Sequence, residues 1–270
     1  MINLMQGDCL EVMKTLPDGS VDLTVTSPPY DNLRAYNGNN EQWGEHVWKG
    51  VIRELHRVTS KGGVVVWVVG DATIKGSETG TSFKQALWAI DCGFNLHDTM
   101  IYEKAQAFGG SKYAYYTSFE YMFVFSKSRP KTFNPLMDRQ NVRGGKVEST
   151  AKSGMRSDGT IPARHKKTAP IMGKRKNIWR YGVGGGSTGH PAVFPSKLAH
   201  DHIISWSNEG DTVLDPFMGS GTTGVAAKKL NRSFIGVELD ETYFNIARER
   251  IDGAEQLRPV ARPDRKKVSQ

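Results

Sequence analysis

Thiols are scarce in this chain. Its 270 residues include two cysteines, Cys9 and Cys92, too few for a disulfide framework or a structural zinc centre built on thiolates. None of the 12 prolines precedes a cysteine, and both thiols read as small buried apolar groups. The seven histidines offer no metal-ligand spacing with the cysteines, and His200 and His202 stand two apart in a helical stretch, where side chains diverge. No metal is expected. Long apolar runs are missing as well: the longest, Val64 to Val69, falls far short of the roughly 20 residues that cross a bilayer. The N-terminus, Met1-Ile2-Asn3-Leu4-Met5-Gln6-Gly7-Asp8, lacks the basic and apolar segments of a secretory leader, which makes the cytoplasm the expected location and a membrane an unexpected partner. There is no internal repeat.

The chain is 38% hydrophobic and 24% charged, the composition of a globular protein long enough for one large domain, or one plus a small insert. Its net charge of +8 is unevenly spread. Lys127 to Arg180 holds 15 Lys and Arg against Asp138, Glu148 and Asp158, a net +12, whereas the other 216 residues hold 21 against 25, a net −4. An acidic body carrying a basic segment is the footprint of a polyanion reader, with nucleic acid the natural partner. A solvated loop rich in Gly, Ser and Lys is the competing account.

Local patterning alternates strand and helix. Val21 to Thr26 is a β-branched run stopped by Ser27-Pro28-Pro29. Trp43, Val47, Val51, Leu55 and Val58 recur at helical spacing, with Lys61-Gly62-Gly63 as the stop. Val64 to Val69 suits a strand covered on both faces. Phe83 to Ile90 reads as a helix, and Leu96 to Tyr102 and Tyr121 to Phe125 as strands; beyond the basic segment, Ser196 to Trp206, Thr222 to Leu230 and Tyr243 to Ile251 read as helices, Thr212 to Leu214 and Phe234 to Val237 as strands. The pattern predicts an α/β fold with a mostly parallel, doubly wound sheet, followed by a loose polar tail from Arg258.

Asp215-Pro216-Phe217-Met218-Gly219-Ser220-Gly221-Thr222-Thr223-Gly224 lies between a strand and a helix, where glycines let a ligand approach the backbone. Gly219, Gly221 and Gly224 fit G-x-G-x-x-G, and Glu238, with Leu239 beside it, ends the next strand, where a carboxylate can accept from ribose hydroxyls. No Lys follows Gly224, so this is not a P-loop. A nucleoside cofactor is expected; NAD and S-adenosylmethionine both fit the turn, and a purely structural βα turn is the bland alternative.

In Thr26-Ser27-Pro28-Pro29-Tyr30, two residues of fixed φ hold a hydroxyl and a carbonyl acceptor next to an aromatic ring. Two acceptors and a ring suit an amino group on a planar base, such as a nucleobase turned out of its helix.

With these residues in view, the chain resembles the amino-group DNA methyltransferases of the permuted β class. The loop from Thr26 to Tyr30 resembles that family's catalytic loop, Asp215 to Gly221 its cofactor turn, and His190-Pro191-Ala192-Val193-Phe194-Pro195 the segment covering the methionine part of S-adenosylmethionine; Gly7-Asp8 resembles the strand end whose Asp contacts adenine. Their order spans nearly the whole chain. The resemblance implies a circularly permuted Rossmann-like fold: residues 1–126 the catalytic half, 127–189 a basic target-recognition insert, 190–257 the cofactor half and 258–270 a tail. It implies catalysis by Ser27, Pro28, Pro29 and Tyr30, and S-adenosylmethionine bound by Asp8, His190, Pro191, Phe194, Pro195, Asp215, Phe217, Gly219, Ser220, Gly221, Thr222, Thr223, Glu238 and Leu239. Double-stranded DNA is the implied partner, a cognate restriction endonuclease a further one, and Arg139, Arg143, Lys146, Arg164, Lys166, Lys167, Lys174, Arg175 and Lys176 are the candidates for DNA contact. Glu120, in the strand that closes the catalytic half, reads as a structural hydrogen-bond partner.

An exocyclic amino nitrogen is a poor nucleophile because its lone pair is delocalised into the ring. Acceptors that bind its two N–H groups better as the nitrogen becomes tetrahedral lower the barrier, and alignment with the methyl supplies much of the rest. Ser at position 27, in place of the Asp usual for adenine N6, favours cytosine N4. The C5-cytosine chemistry of a Pro-Cys nucleophile is excluded by the missing pair. Three other readings compete: a nicotinamide-dependent oxidoreductase, which leaves the proline loop and insert unexplained; an inactive nucleic-acid-binding module, against which Asp8, Ser27, Pro28, Tyr30, Asp215 and Glu238 all stand; and an RNA or protein-amide methyltransferase, from whose Asn-Pro-Pro-Tyr loop Ser27 departs.

Overall fold

The computed structural model describes residues 1–29, 43–110, 112–150, 165–183 and 195–256. Its elements are β1 (Ile2–Gln6), α1 (Cys9–Lys14), β2 (Val21–Thr26), α2 (Glu45–Val58), β3 (Thr59–Val69), β4 (Thr73–Ile74), β5 (Ser77–Glu78), α3 (Thr81–Asp91), β6 (Asn95–Phe108), β7 (Thr117–Ser126), β8 (Arg139–Gln140), β9 (Val147–Thr150), β10 (His165–Thr168), β11 (Met172–Gly173), β12 (Ile178–Tyr181), α4 (Ser196–Trp206), β13 (Thr212–Asp215), α5 (Thr222–Lys229), β14 (Ser233–Glu238) and α6 (Glu241–Asp252). They form two compact units, Met1–Phe133 with Ile178–Gln270, and Asn134–Asn177.

The larger unit is built on an eight-stranded sheet in the order β1-β14-β13-β2-β3-β7-β6-β12. The first five of these strands run parallel, as apolar runs covered on both faces require. The alternating pattern breaks at β6 and β7, which form a long hairpin, so that β7 is antiparallel to both β3 and β6. β12, a strand within the basic stretch of the sequence, then adds parallel to β6 as the edge.

Valines and aromatics of the central strands make the core. Leu23, Val66, Trp67, Val68 and Phe125 are all buried, and α2 turns Trp48, Val51, Ile52, Leu55 and Val58 onto the sheet; of the spacing read from sequence, Val51, Leu55 and Val58 are buried, Val47 is half-buried and Trp43 precedes the helix. Truncating Leu55 to Ala would cost roughly 2–5 kcal/mol, the usual range for a core cavity. Gly62 and Gly63 do not stop α2, which ends at Val58. They lie inside β3, where the pairing with β2 slips between Val21 and Leu23. A Cβ on Gly62 would stand 2.9 Å from the Lys131 Cβ and one on Gly63 2.8 Å from the Thr59 side chain, so two glycines permit a bulge where three backbone segments meet.

The smaller unit is two antiparallel pairings along one ribbon, β8 with β11 and β9 with β10. Among its described residues no apolar side chain is buried, and Met137, Val142, Val147 and Ile171 are exposed. Its order comes from the ladder rather than from a core. This unit contains eleven Lys and Arg against three Asp and Glu, a net +8 equal to that of the whole chain. Among the described residues, no helix is long and apolar enough to cross a membrane.

Candidate active site

Because β1, β14, β13 and β2 are parallel neighbours, their carboxyl ends open on one edge of the sheet. Asp8 follows β1, Glu238 ends β14, Asp215 ends β13 and leads into the glycine turn, and Ser27 and Pro28 follow β2. Asp8 and Ser27 are three strand spacings apart, about 14 Å. That edge is where open α/β sheets hold their ligands, and its breadth suits an extended nucleoside with a reacting group at one end.

Asp215 is buried, and its carboxylate faces inward. Its Oδ1 accepts from Thr26 Oγ1 at 2.7 Å and from the Phe217 N–H at 3.2 Å. Burial pushes its carboxyl up to about 6, against the Thr26, Thr223 and Phe217 hydrogen bonds that hold it down. Thr223 is buried beside it and donates to the Val25 carbonyl at 3.2 Å. Asp215 and Thr223, expected from sequence as cofactor contacts, therefore tie β13 and α5 to β2 from within. Ser220 is buried too, its hydroxyl accepting from Arg250 Nη1 at 2.8 Å, with its carbonyl accepting from the same nitrogen. Arg250 carries no sequence signal, standing 30 residues downstream on α6.

The glycines of the turn divide in role. Gly219 and Gly221 have φ of +53° and +80°, a region that side chains disfavour. A Cβ on Gly221 would stand 3.0 Å from that of Ala247, and one on Gly224 2.4 Å from Ile251 Cδ1: these two let α5 pack against α6. Thr222, first residue of α5, is buried.

Glu238 is fixed by two backbone donors, Gly219 N–H to Oε2 at 2.8 Å and Asp240 N–H to Oε1 at 3.0 Å. Burial above all raises its carboxyl above the ordinary range, with the Asp215 and Asp240 charges adding and the two N–H donors opposing. Each oxygen keeps a second lone pair, enough for a pair of vicinal hydroxyls. Leu239 beside it is exposed. Asp8 caps α1, Oδ1 accepting from the Leu10 and Glu11 N–H groups at 2.8 and 3.1 Å, while the side chain stays exposed. Phe217, half-buried, meets Trp43 edge-on at 5.3 Å between ring centroids and Trp67 at 6.3 Å. The oriented carboxylate, the half-open ring and the second acid on neighbouring strand ends fit an adenosyl group.

Ser27 is half-buried and Pro28 buried at the end of β2, with Pro29 half-buried next. Tyr30, His190, Pro191, Phe194 and Arg164 lie outside the described residues, as does the tail from 258; Pro195 caps α4. In the smaller unit Arg139, Arg143, Lys146, Lys167, Lys174 and Lys176 are exposed, and Lys166 sits in β10. Arg175 is half-buried and forms a two-pronged pair with Asp138, so its charge is already compensated. Arg139 donates through Nε to the Lys174 carbonyl at 2.9 Å.

Cys9 is buried, and burial, with the Asp8 charge adding, pushes its thiol up to about 12, an unreactive state. Burial raises Cys92 as well. His202 is buried against the Trp179 ring, whereas His200 contacts Asp201 at 3.1 Å. Glu120 is buried and paired with Lys104 at 2.8 Å.

A family model described as DNA methylase matches residues 21–249. The chain is 51% identical over 246 residues to the orphan methyltransferase M.BamHII of Bacillus amyloliquefaciens, covering 88% of this chain and 91% of that protein. It is 27% identical to the type II methyltransferase M.XycI of Xanthomonas campestris pv. cyanopsidis over 93% of this chain and 87% of the relative. Among solved structures, TTHA0409 of Thermus thermophilus, complexed with S-adenosyl-L-methionine, is similar with a TM-score of 0.64 and 26% identity, covering 94% of this chain and 97% of that one. The cytosine-N4-specific PvuII DNA methyltransferase shares the fold, with a TM-score of 0.68 and 21% identity over 92% of this chain and 86% of its own.

Proposed function

This chain belongs to the N6/N4 DNA methylase family, and from that premise we propose that it methylates cytosine N4 at specific sites in double-stranded DNA, on a base turned out of the helix. The enzyme is an S-adenosylmethionine-dependent DNA methyltransferase acting on amino groups. That membership sets aside the oxidoreductase and inactive-module readings. The observation that carries the proposal is Ser27-Pro28 at the end of β2, held one strand away from the cofactor turn through Thr26 and Asp215.

Bound S-adenosylmethionine supplies a sulfonium methyl. Glu238 receives the ribose hydroxyls, Asp8 and Phe217 the adenine, and Gly219 to Thr222 shape the backbone beneath; Pro195 belongs to the cover over the methionine part. Ser27 Oγ and the Pro28 carbonyl accept the two amino N–H bonds of the base, localise its lone pair toward the methyl, and bind more strongly as positive charge develops on nitrogen. Tyr30 stacks on the base. Pro28 and Pro29 remove backbone freedom, so the acceptors need no reorganisation during the reaction. The basic residues of 134–177 bind the duplex backbone. Ser at position 27, the first position of the loop, supports cytosine rather than adenine as the base.

Incubation with labelled S-adenosylmethionine and duplex DNA, then digestion to nucleosides, tests this. Labelled N4-methylcytosine is the expected product. N6-methyladenine would overturn the base assignment, and label in neither would overturn the reaction. Tyr30→Phe should retain most turnover and Tyr30→Ala little, with cofactor affinity unchanged in both. The 51% identity to a relative named an orphan methyltransferase supports an enzyme working without a dedicated restriction endonuclease.

A further inference from the structure

The β6–β7 hairpin overshoots the sheet on the side of the catalytic strand end. Thr26 is level with Trp67, Trp67 with Phe123, and Phe123 with Thr99. From Phe123 back to Thr117, β7 continues past that level for about 20 Å at roughly 3.3 Å per residue, in the direction in which Ser27 leaves β2. In sheet order β6 is three strands from β2, about 14 Å sideways. The hairpin tip thus stands beyond the strand end that carries Ser27, on the same edge of the sheet and three strands to the side.

The tip is aromatic and free of acid. Between Glu103 and Glu120 the only charged residues are Lys104 and Lys112. Tyr113, Tyr115 and Tyr116 are 88%, 99% and 71% exposed. Gly109 and Gly110 turn the chain at φ of +69° and +96°, and a Cβ on Gly110 would come 2.8 Å from the Tyr116 ring, so glycine there allows that ring to lie against the backbone. Lys112 Nζ stands 5.5 Å from the centroid of Tyr113. Three rings left in water on one turn are a surface made to be covered. Tyrosine and lysine without Leu, Ile or Val beside them suit bases and phosphates better than an apolar protein face.

We propose that the Tyr113-Tyr115-Tyr116 tip is a DNA-contact element of the larger unit, distinct in sequence from the basic 134–177 segment. Its rings pack on the bases or sugars next to the one presented to Ser27, and Lys112 meets a phosphate. This rests on the reading of Ser27-Pro28 as the site of the reacting base.

The test compares wild type, Tyr115→Ala/Tyr116→Ala, Tyr115→Phe/Tyr116→Phe and Lys112→Gln. Duplex binding is followed by anisotropy at several salt concentrations, S-adenosylmethionine binding by calorimetry and association state by sedimentation. The exposed positions should tolerate all of these changes in folding, which a thermal melt checks. The double alanine variant should bind duplex at least fivefold more weakly for each ring that stacks, with the salt slope and cofactor affinity unchanged. The phenylalanine variant should keep most of the affinity, and Lys112→Gln should lower the salt slope by about one unit. Unchanged DNA affinity and kcat/KM in a folded double alanine variant would overturn the proposal. So would a shift in sedimentation with DNA binding intact, which would assign the tip to self-association. If wild type methylates no duplex DNA, the reading of the site falls first and the tip with it; if wild type is active and only the tip variants match it, the tip alone falls.

Discussion

Thr26 Oγ1 donates to Asp215 Oδ1 at 2.7 Å, and the same oxygen accepts from the Phe217 N–H. One buried carboxylate therefore sets the height of the residue before Ser27 against the residue that begins the cofactor turn. Methyl transfer depends on the separation of those two loops, and small misplacements of reacting groups cost large factors in rate.

Thr26→Val keeps the shape and removes the hydroxyl. It leaves a buried carboxylate short of one donor, with an expected loss of about 1–3 kcal/mol in stability. At temperatures where the variant stays folded, kcat should fall while the S-adenosylmethionine Kd holds within about threefold. Denaturant titration and single-turnover kinetics measure the two effects; equal losses in kcat and cofactor binding would show that Thr26 supports the fold generally rather than the alignment of two loops.

Asp215 should also leave a signature in stability against pH. Its ordinary value of 3.8 rises to about 6 in the folded chain, so between those values the native state holds the proton more firmly than the unfolded state. Stability from this group is present below pH 3.8 and is lost as pH rises through about 6. A rise from 3.8 to about 6 corresponds to roughly 3 kcal/mol. Asp215→Asn removes that contribution. Unfolding titrations from pH 4 to 7 should show wild type losing stability relative to the variant as pH rises; parallel curves would mean that Asp215 titrates like an exposed carboxyl.

Glu238 differs from Asp215 in being half-buried rather than buried, with a lone pair left on each oxygen. Glu238→Ala removes a charged acceptor and releases the Gly219 and Asp240 N–H groups that it holds. Cofactor binding should weaken about ten- to hundredfold, the scale of one or two charge-assisted hydrogen bonds. Duplex binding without cofactor should barely change. Calorimetry decides, and tight NAD binding with no heat from S-adenosylmethionine would contradict the cofactor assignment itself.

Much of this was legible in the residues. The apolar runs at Val21, Val64 and Phe234 became parallel strands because burial on both faces demands such runs, and the Gly219 turn and Glu238 came to one edge because parallel strands end together. The hairpin was not legible: Leu96–Tyr102 and Tyr121–Phe125 look the same in sequence whether they pair parallel or antiparallel. Nor was the inward aim of Asp215. An acid beside a glycine turn reads as a ligand contact, and only the three-dimensional approach of Thr26, 189 residues away, reveals the alternative. Arg250 on Ser220 is likewise a long-range contact without periodicity or motif, and Trp43, read as part of a helical spacing, precedes α2 and meets Phe217 instead. Gly62-Gly63 misled for a local reason, since paired glycines mark a helix stop and a strand bulge equally well.

The last expectation concerns the charge of the smaller unit. Lys167 is exposed on β10 and Lys166 precedes it on the same strand, whereas Arg175 is held by Asp138. Neutralising Lys166 and Lys167 together to Gln should weaken duplex binding and reduce the slope of log affinity against log salt by about two units if both meet phosphates, because each contact releases roughly one counterion. Arg175→Gln should change that slope little and instead loosen β8 against β11, which hydrogen exchange at Gln140 and Met172 would register. Cofactor affinity should hold in both variants, since none of these residues belongs to the strand ends that carry Asp8 and Glu238. Binding titrations at several salt concentrations separate the cases. An unchanged slope and affinity in the double lysine variant would remove β10 from the interface and leave its charge as a solvated face, whereas a larger effect from Arg175→Gln than from the lysine pair would mean that the Asp138 partnership opens to release the guanidinium when DNA arrives.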